Sequence, residues 1–189
     1  KPVSTLVNIR YPDNGDFILH FQQFLFKSNA KIVIDNLKIG GVVANMVNQL
    51  NGIFKLPHNV DISFRYSDTA NAWYQPGTRS IDFTSAFILE FYQNFSKYYK
   101  GQQLIDKVTN VVIFFLFHEL GHALTDIYQL SVRGPEEDMA DYFSIYLLST
   151  GNDVLKQTAL DGADMFYEYS KRMENMPASR LPLWDVHSL

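Results

Sequence analysis

Cysteine is absent from the 189-residue sequence. This absence excludes a disulfide framework, a thiolate metal site and a thiol nucleophile. Any metal in this protein must therefore be held by histidine, aspartate or glutamate side chains.

An excess of positive charge is also missing, and so is a long apolar run. The sequence has 16 Lys+Arg against 20 Asp+Glu, a formal net charge of −4, which argues against nucleic acid as a partner. The longest uninterrupted apolar run, residues 111–117, is much shorter than the roughly 18–20 residues that span a bilayer. We therefore expect no membrane-spanning segment.

The composition is that of a folded chain. Apolar residues make up 47% of the sequence and charged residues only 19%, which excludes an intrinsically disordered protein. A chain of 189 residues most simply forms one domain, here residues 1–189. The sequence begins at Lys1 without a Met or an apolar leader, so either a leader has been removed or a boundary falls here; we expect export, to the periplasm or the medium.

The pattern of the sequence predicts an α+β fold in two parts. Residues 1–83 form a β-rich part, and about 84–175 form a helical part. Short runs that are rich in β-branched residues, or in which apolar and polar residues alternate, predict strands. One helix, which contains the pair Gly40–Gly41, is predicted between them. The predicted strands are 3–9, 30–34 and 60–66, with a hairpin of 70–74 and 79–83, and the helix is 36–54. Later helices are predicted from residue 84 to Gly101, and over 103–129, 135–149 and 153–174.

The most informative motif is His118-Glu119-Leu120-Gly121-His122, an HExxH sequence within the predicted helix 103–129. Residues four apart lie on one face of a helix, so His118 and His122 can hold one metal ion together. Glu119 can then reach a water molecule at that metal. The motif therefore predicts a metal-dependent hydrolase.

A catalytic zinc needs a third protein ligand, and the sequence offers carboxylates for it. No third histidine follows at short spacing. The next helix begins with Glu136, Glu137 and Asp138, followed by Asp141 one turn later. An acidic first turn can also simply stabilise a helix N-terminus, which explains Glu136 and Asp138 but not Asp141. Glu137 and Asp141 share a face, so one can bind the metal while the other orients an imidazole; Glu136 or Asp138 is the alternative ligand.

HExxH followed on the next helix by Glu-x-x-x-Asp resembles the gluzincins, the thermolysin-like zinc peptidases. The resemblance implies a zincin-like fold with Zn²⁺ held by His118, His122 and Glu137, and with Asp141 as the hydrogen-bond partner of His118. The segment Asn71-Ala72-Trp73-Tyr74 resembles the edge strand on which that group binds its peptide substrate.

Three segments together resemble more closely a bacterial family described as putative metallopeptidases. They are Asn71-Ala-x-Tyr-x-Pro-x-Thr-Arg79, the HExxH motif with the following Ala-Leu, and Glu136-Glu-Asp-x-Ala-Asp141. Asn71, Ala72, Tyr74 and Arg79 are accordingly candidate substrate-binding residues, with Arg79 able to hold a substrate carboxylate or to pair with a nearby acid.

Both resemblances imply zinc-assisted hydrolysis of peptide or protein substrates, with Glu119 as the general base. The tetrahedral oxyanion needs a second donor beside the metal, and His187 near the C-terminus, within a segment ending in His-Ser-Leu, is the candidate, with Tyr74 as another. Two other functions are compatible with the motif. One is hydrolysis of a non-peptide amide, and the other is a peptide-binding or regulatory protein that keeps the metal site with little turnover.

Overall fold

The structure, a computed structural model, describes residues 12–23 and 28–174. Four strands and six helices lie in this part of the chain. In order they are β1 (Phe17–Phe21), α1 (Asn29–Ile39), α2 (Val42–Ile53), β2 (Val60–Arg65), β3 (Ala72–Gln75), β4 (Ser80–Thr84), α3 (Ser85–Phe95), α4 (Gly101–Ile127), α5 (Glu136–Ser149) and α6 (Asp153–Glu174). The fold is α+β, with a mixed sheet in the N-terminal half and a helical C-terminal half, as the sequence predicts.

The sheet has the strand order β1-β2-β4-β3. β1 and β4 both run parallel to β2, whereas β3 runs antiparallel to β4 as the first arm of a hairpin. Alternate residues of β2 and β4 are fully buried, which places one face of the sheet in the core. The predicted hairpin is confirmed, and its first strand, β3, lies at the edge of the sheet.

α4 is the central element of the helical half. Its 27 residues extend for about 40 Å and contact α1, α3, α5 and α6 as well as β3 and β4. By length and composition α4 could also cross a membrane, but 83% of its most apolar window is buried inside the protein, as in a core helix. A search for uninterrupted apolar runs misses α4 as a candidate span, because polar residues interrupt its apolar sequence. The absence of a membrane span stays a prediction.

The N-terminal half contains more helix than the sequence predicts. Residues 30–34, predicted as a strand, belong to α1, whose first turn is capped by the Ser28 hydroxyl accepting from the Lys31 backbone N–H. The predicted helix 36–54 is two helices, because Gly41 adopts a left-handed conformation (φ 64°) between them. The predicted strand 3–9 lies outside the described residues.

Candidate metal centre

The HExxH motif lies in the C-terminal part of α4, where the helix is buried. His118 and Glu119 are each 3% exposed, and the His122 side chain is 13% exposed. The burial arises because α4 is covered by β3 on one side and by α5 on another. Two imidazoles and a carboxylate are therefore held in a largely water-excluded position.

Glu137, from the first turn of α5, meets both imidazoles. Its Oε2 atom lies 3.1 Å from His118 Nε2 and 3.4 Å from His122 Nε2, and the two Nε2 atoms are 3.2 Å apart. Three ligands of a tetrahedral ion with bonds of about 2.0–2.1 Å are separated by about 3.3 Å. The three atoms thus have the spacing that such an ion requires.

The outer nitrogens of both rings face carboxylates. His118 Nδ1 lies 2.8 Å from Asp141 Oδ1, and His122 Nδ1 lies 2.8 Å from Glu136 Oε1. Ionised carboxylates only accept hydrogen bonds, so each Nδ1 carries the donated proton. When each imidazole is neutral, its Nε2 lone pair is directed toward Glu137 Oε2. The two nitrogens and the carboxylate oxygen then form a ligand set that fits a divalent cation.

The electrostatics of the two histidines also favour positive charge. Burial alone would lower the pKa of His118, but hydrogen bonds to Asp141 and Glu137 and the charge of Glu119 outweigh it and raise the pKa to about 9. Burial opposes the same change at His122, yet hydrogen bonds to Glu137 and Glu136 raise its pKa. The surroundings of the two imidazoles therefore favour a positive charge at this cluster.

Gly121, inside the motif, allows α5 to approach α4 closely. A Cβ atom at this position would lie 3.0 Å from Ala140 Cα and 3.3 Å from Ala140 Cβ. Ala140 is itself fully buried and lies between Glu137 and Asp141 along α5. The small residues at 121 and 140 therefore hold the two carboxylates against His118.

Glu119 points toward the sheet edge. A hydrogen bond from the Tyr74 backbone and the charges of the two histidines lower its pKa, but burial, the larger effect, raises it. Glu119 is thus a carboxyl group whose proton affinity is greater than that of an exposed glutamate. Its contact with Tyr74 joins β3 to the face of α4 that carries the two histidines.

The pairing of β3 determines which backbone groups face outward. The Asn71 carbonyl accepts from the Thr84 backbone N–H, and the Asn71 N–H donates to the Thr84 hydroxyl. Because hydrogen-bonding direction alternates along a strand, the backbone groups of Ala72 and Tyr74 are directed to the outer edge. The Asn71 side chain is exposed, and the Ala72 side chain is buried.

A pocket of about 330 Å³ opens beside the histidines. The hairpin, the end of α4 and the start of α5 form its walls, and its lining residues are Tyr74, Pro76, His122, Thr125, Asp126, Gln129, Leu130 and Glu136. The Tyr74 hydroxyl donates to Asp126 Oδ2 at 2.8 Å. Burial and this hydrogen bond raise the pKa of Tyr74, so the phenol stays protonated.

Comparison with known proteins identifies a family. Residues 26–189 match the family model DUF4344, described as "Putative metallopeptidase". The chain belongs to this family. No curated protein and no solved structure matches the chain.

Membership of the putative metallopeptidase family indicates a metal-dependent peptidase. The family description implies a metal, and His118, His122 and Glu137 form a possible site for it in the structure. The description names neither zinc nor the gluzincins.

Two contacts in this family member were not expected from the sequence. The first is the hydrogen bond from Tyr74 to Asp126. Asp126 lies four residues after His122 on α4, and this spacing could have predicted that it shares the helix face of His122. Glu136 contacts His122, whereas the sequence offered it only as a helix-capping residue or an alternative metal ligand.

Arg79 does not line the pocket beside the histidines. Arg79 is exposed in the hairpin turn with a left-handed backbone (φ 56°), and its charge acts on Tyr74, whose pKa it lowers slightly against the larger effects. His187 lies outside the described residues, and its role stays a prediction.

Proposed function

We propose that this protein is a zinc-dependent peptidase with a gluzincin-like arrangement of ligands. The observation that carries the proposal is the convergence of His118 Nε2, His122 Nε2 and Glu137 Oε2, all within 3.4 Å of one another. Softer thiolate ligands are absent, and two imidazoles with one carboxylate form a ligand set used by catalytic zinc. Family membership supports the peptidase part of the proposal.

The residues around the ligands supply the remaining functions. Zinc, when bound, supplies the positive charge that polarises a carbonyl group and acidifies water. Glu119 accepts a proton from the attacking water and returns it to the leaving nitrogen, so the peptide bond is replaced by a carboxylate and an amine. Its buried position, which raises its pKa, suits a group that must both take and give a proton near neutral pH.

The substrate lies along β3 in this proposal. An edge strand can pair with an extended peptide through its backbone groups. The outward-facing backbone groups of Ala72 and the exposed side chain of Asn71 adjoin Tyr74 in the chain, and the Tyr74 backbone contacts Glu119. This contact brings them near the histidines. The carbonyl of a peptide bound there can therefore reach the metal-binding face of α4. Arg79, at the end of the same hairpin, is our candidate for holding a substrate carboxylate.

The proposal is tested by peptide cleavage with matched glutamate variants. Zinc-loaded wild-type protein and Glu119→Gln are incubated with a mixed peptide library, and products are read by mass spectrometry. We expect cleavage by the wild type, at least about 100-fold slower cleavage by Glu119→Gln, and equal zinc content in both. Glu174→Gln, at the exposed end of α6, is the control and should cleave normally.

Two results would contradict the proposal. Peptide binding without turnover by zinc-loaded wild type would indicate the regulatory alternative. Cleavage of small amides but of no peptide would indicate a non-peptide amidohydrolase.

A further inference from the structure

The pocket beside the histidines has a definite charge. Asp126 and Glu136 both contribute carboxylates to its lining, and the lining contains no lysine or arginine within the part of the chain that the structure describes. The remaining lining groups are neutral or apolar apart from His122, whose Nε2 faces the metal ligands. Arg79 acts on Tyr74 from the hairpin turn but does not line the pocket.

The two carboxylates are not neutralised by their hydrogen bonds. Asp126 accepts from the Tyr74 hydroxyl, which is an uncharged donor. Glu136 accepts from His122, which is a neutral imidazole once its Nε2 binds a metal. A carboxylate has about four acceptor positions, so each keeps acceptor capacity for a further donor. The pocket can therefore bind a cation.

Asp126 is the better placed of the two. A hydrogen bond from Tyr74 orients its carboxylate, whereas the Glu136 side chain is 57% exposed and already accepts a hydrogen bond from His122. Asp126 lies one helical turn beyond His122, about 6 Å along the axis. An extended peptide rises about 3.3 Å per residue, so this distance corresponds to one or two residues from the reacting carbonyl.

We propose that this pocket binds a cationic group of the substrate, an ammonium or guanidinium, with Asp126 as the residue that selects it. The inference rests on the proposed peptidase function and adds a substrate class to it: peptides with a positive charge one or two residues from the cleaved bond. Such a charge can come from a lysine or arginine side chain or from the free N-terminus of the peptide.

Matched peptides separate charge from size. One series carries lysine, norleucine or glutamate at each position within two residues of a cleaved bond, and a second series repeats these peptides with an acetylated N-terminus. We expect kcat/KM at least about 10-fold higher for lysine than for norleucine at one position. If the α-amine is the source instead, acetylation removes at least about 10-fold and the side-chain series is flat.

Substitutions then assign the preference to the pocket. Asp126→Asn keeps an acceptor for Tyr74 but removes the charge, and it should reduce the preference below about 3-fold. Gln129→Lys, at an exposed lining position, should reduce it in the same direction even if Asp126→Asn folds poorly. Asp106→Asn is the control, since Asp106 is exposed on the same helix about 30 Å away, and it should keep the full preference.

A binding measurement keeps this test independent of turnover. Fluorescent lysine and norleucine peptides, free or acetylated at the N-terminus, are titrated onto zinc-loaded Glu119→Gln protein, with and without Asp126→Asn. Selective binding of the charged form that depends on Asp126, without cleavage by the wild type, would contradict the peptidase proposal and support the pocket assignment. Three cleavage results would overturn the pocket assignment and leave the peptidase proposal standing. The enzyme could show no preference for positive charge, it could prefer glutamate, or Asp126→Asn could leave the preference intact.

Discussion

Replacing Asp141 with asparagine tests the carboxylate that orients His118. Asp141 Oδ1 lies 2.8 Å from His118 Nδ1, and the imidazole is buried. In the proposed zinc-bound protein this carboxylate would hold the proton on Nδ1 and leave the Nε2 lone pair for the metal. Asparagine can accept the same hydrogen bond but carries no charge. Its amide can also turn and donate to Nδ1, which places the proton on Nε2 and opposes metal binding.

The size of the effect follows from the charge and exposure of this contact. A hydrogen bond to a charged group contributes about 1.5–3 kcal/mol. The Asp141 side chain is 31% exposed, so solvent weakens the interaction and we take the lower half of that range. A loss of about 1.5–2 kcal/mol corresponds to a decrease of about 10–30-fold in zinc affinity, since about 1.4 kcal/mol is tenfold. Asp141→Ala should cost more, because it removes the acceptor as well as the charge.

Competition with a chromophoric chelator measures zinc affinity, and circular dichroism checks the fold of each variant. Asp138→Asn, an exposed carboxylate of the same helical turn as Glu137, is the control and should bind zinc like the wild type. Zinc affinity of Asp141→Asn within twofold of the wild type would refute the reasoning. An equal loss in Asp138→Asn would also refute it, because the effect would then reflect the general charge of the helix terminus.

Two further predictions concern packing and pH. Gly121→Ala should destabilise the protein by about 1–3 kcal/mol in chemical denaturation and weaken zinc binding, because its Cβ would meet Ala140. Gly52→Ala, whose Cβ would have no atom within 4 Å, is the control and should stabilise the protein slightly. A Gly121→Ala protein more stable than Gly52→Ala would contradict the close approach of α5 to α4. In metal-free protein the pKa of His118 is raised from 6.5 to about 9 and that of His122 is also raised, so their stabilising effect is complete below pH 6.5 and is lost as the pH rises through about 9. The melting temperature after chelator treatment should therefore fall over this range, and a flat profile would contradict the assignment.

The sequence predicts the helical half and the hairpin well, for physical reasons that operate locally. Helix 103–129 corresponds to α4 because its apolar residues are many and nothing breaks the helix before residue 128. The hairpin of β3 and β4 is encoded by the turn residues 75–78 between two short strands. The spacing of HExxH likewise defines the positions of two imidazoles on a single helix.

Contacts between distant elements were not predictable in the same way. Residues 30–34 are rich in β-branched side chains, yet Val33, Ile34 and Leu37 point one buried helix face at the core, so packing overrides the local preference. The parallel pairing of β1 and β4 with β2 depends on how the chain crosses over the sheet. The contact of Tyr74 with Asp126 depends on where the hairpin meets α4, and only the structure shows it.

In our proposal Glu137, and not its neighbour Glu136, completes the metal site. This assignment is tested by measuring the zinc affinities of Glu137→Gln and Glu136→Gln side by side. Glu137 Oε2 lies among the ligand atoms, whereas Glu136 only orients His122 and is largely exposed. We expect Glu136→Gln to lose no more than the roughly 10–100-fold typical of an orienting partner, and Glu137→Gln to lose more than that. Equal losses in the two variants, or a greater loss in Glu136→Gln, would contradict the assignment of Glu137 as the third ligand.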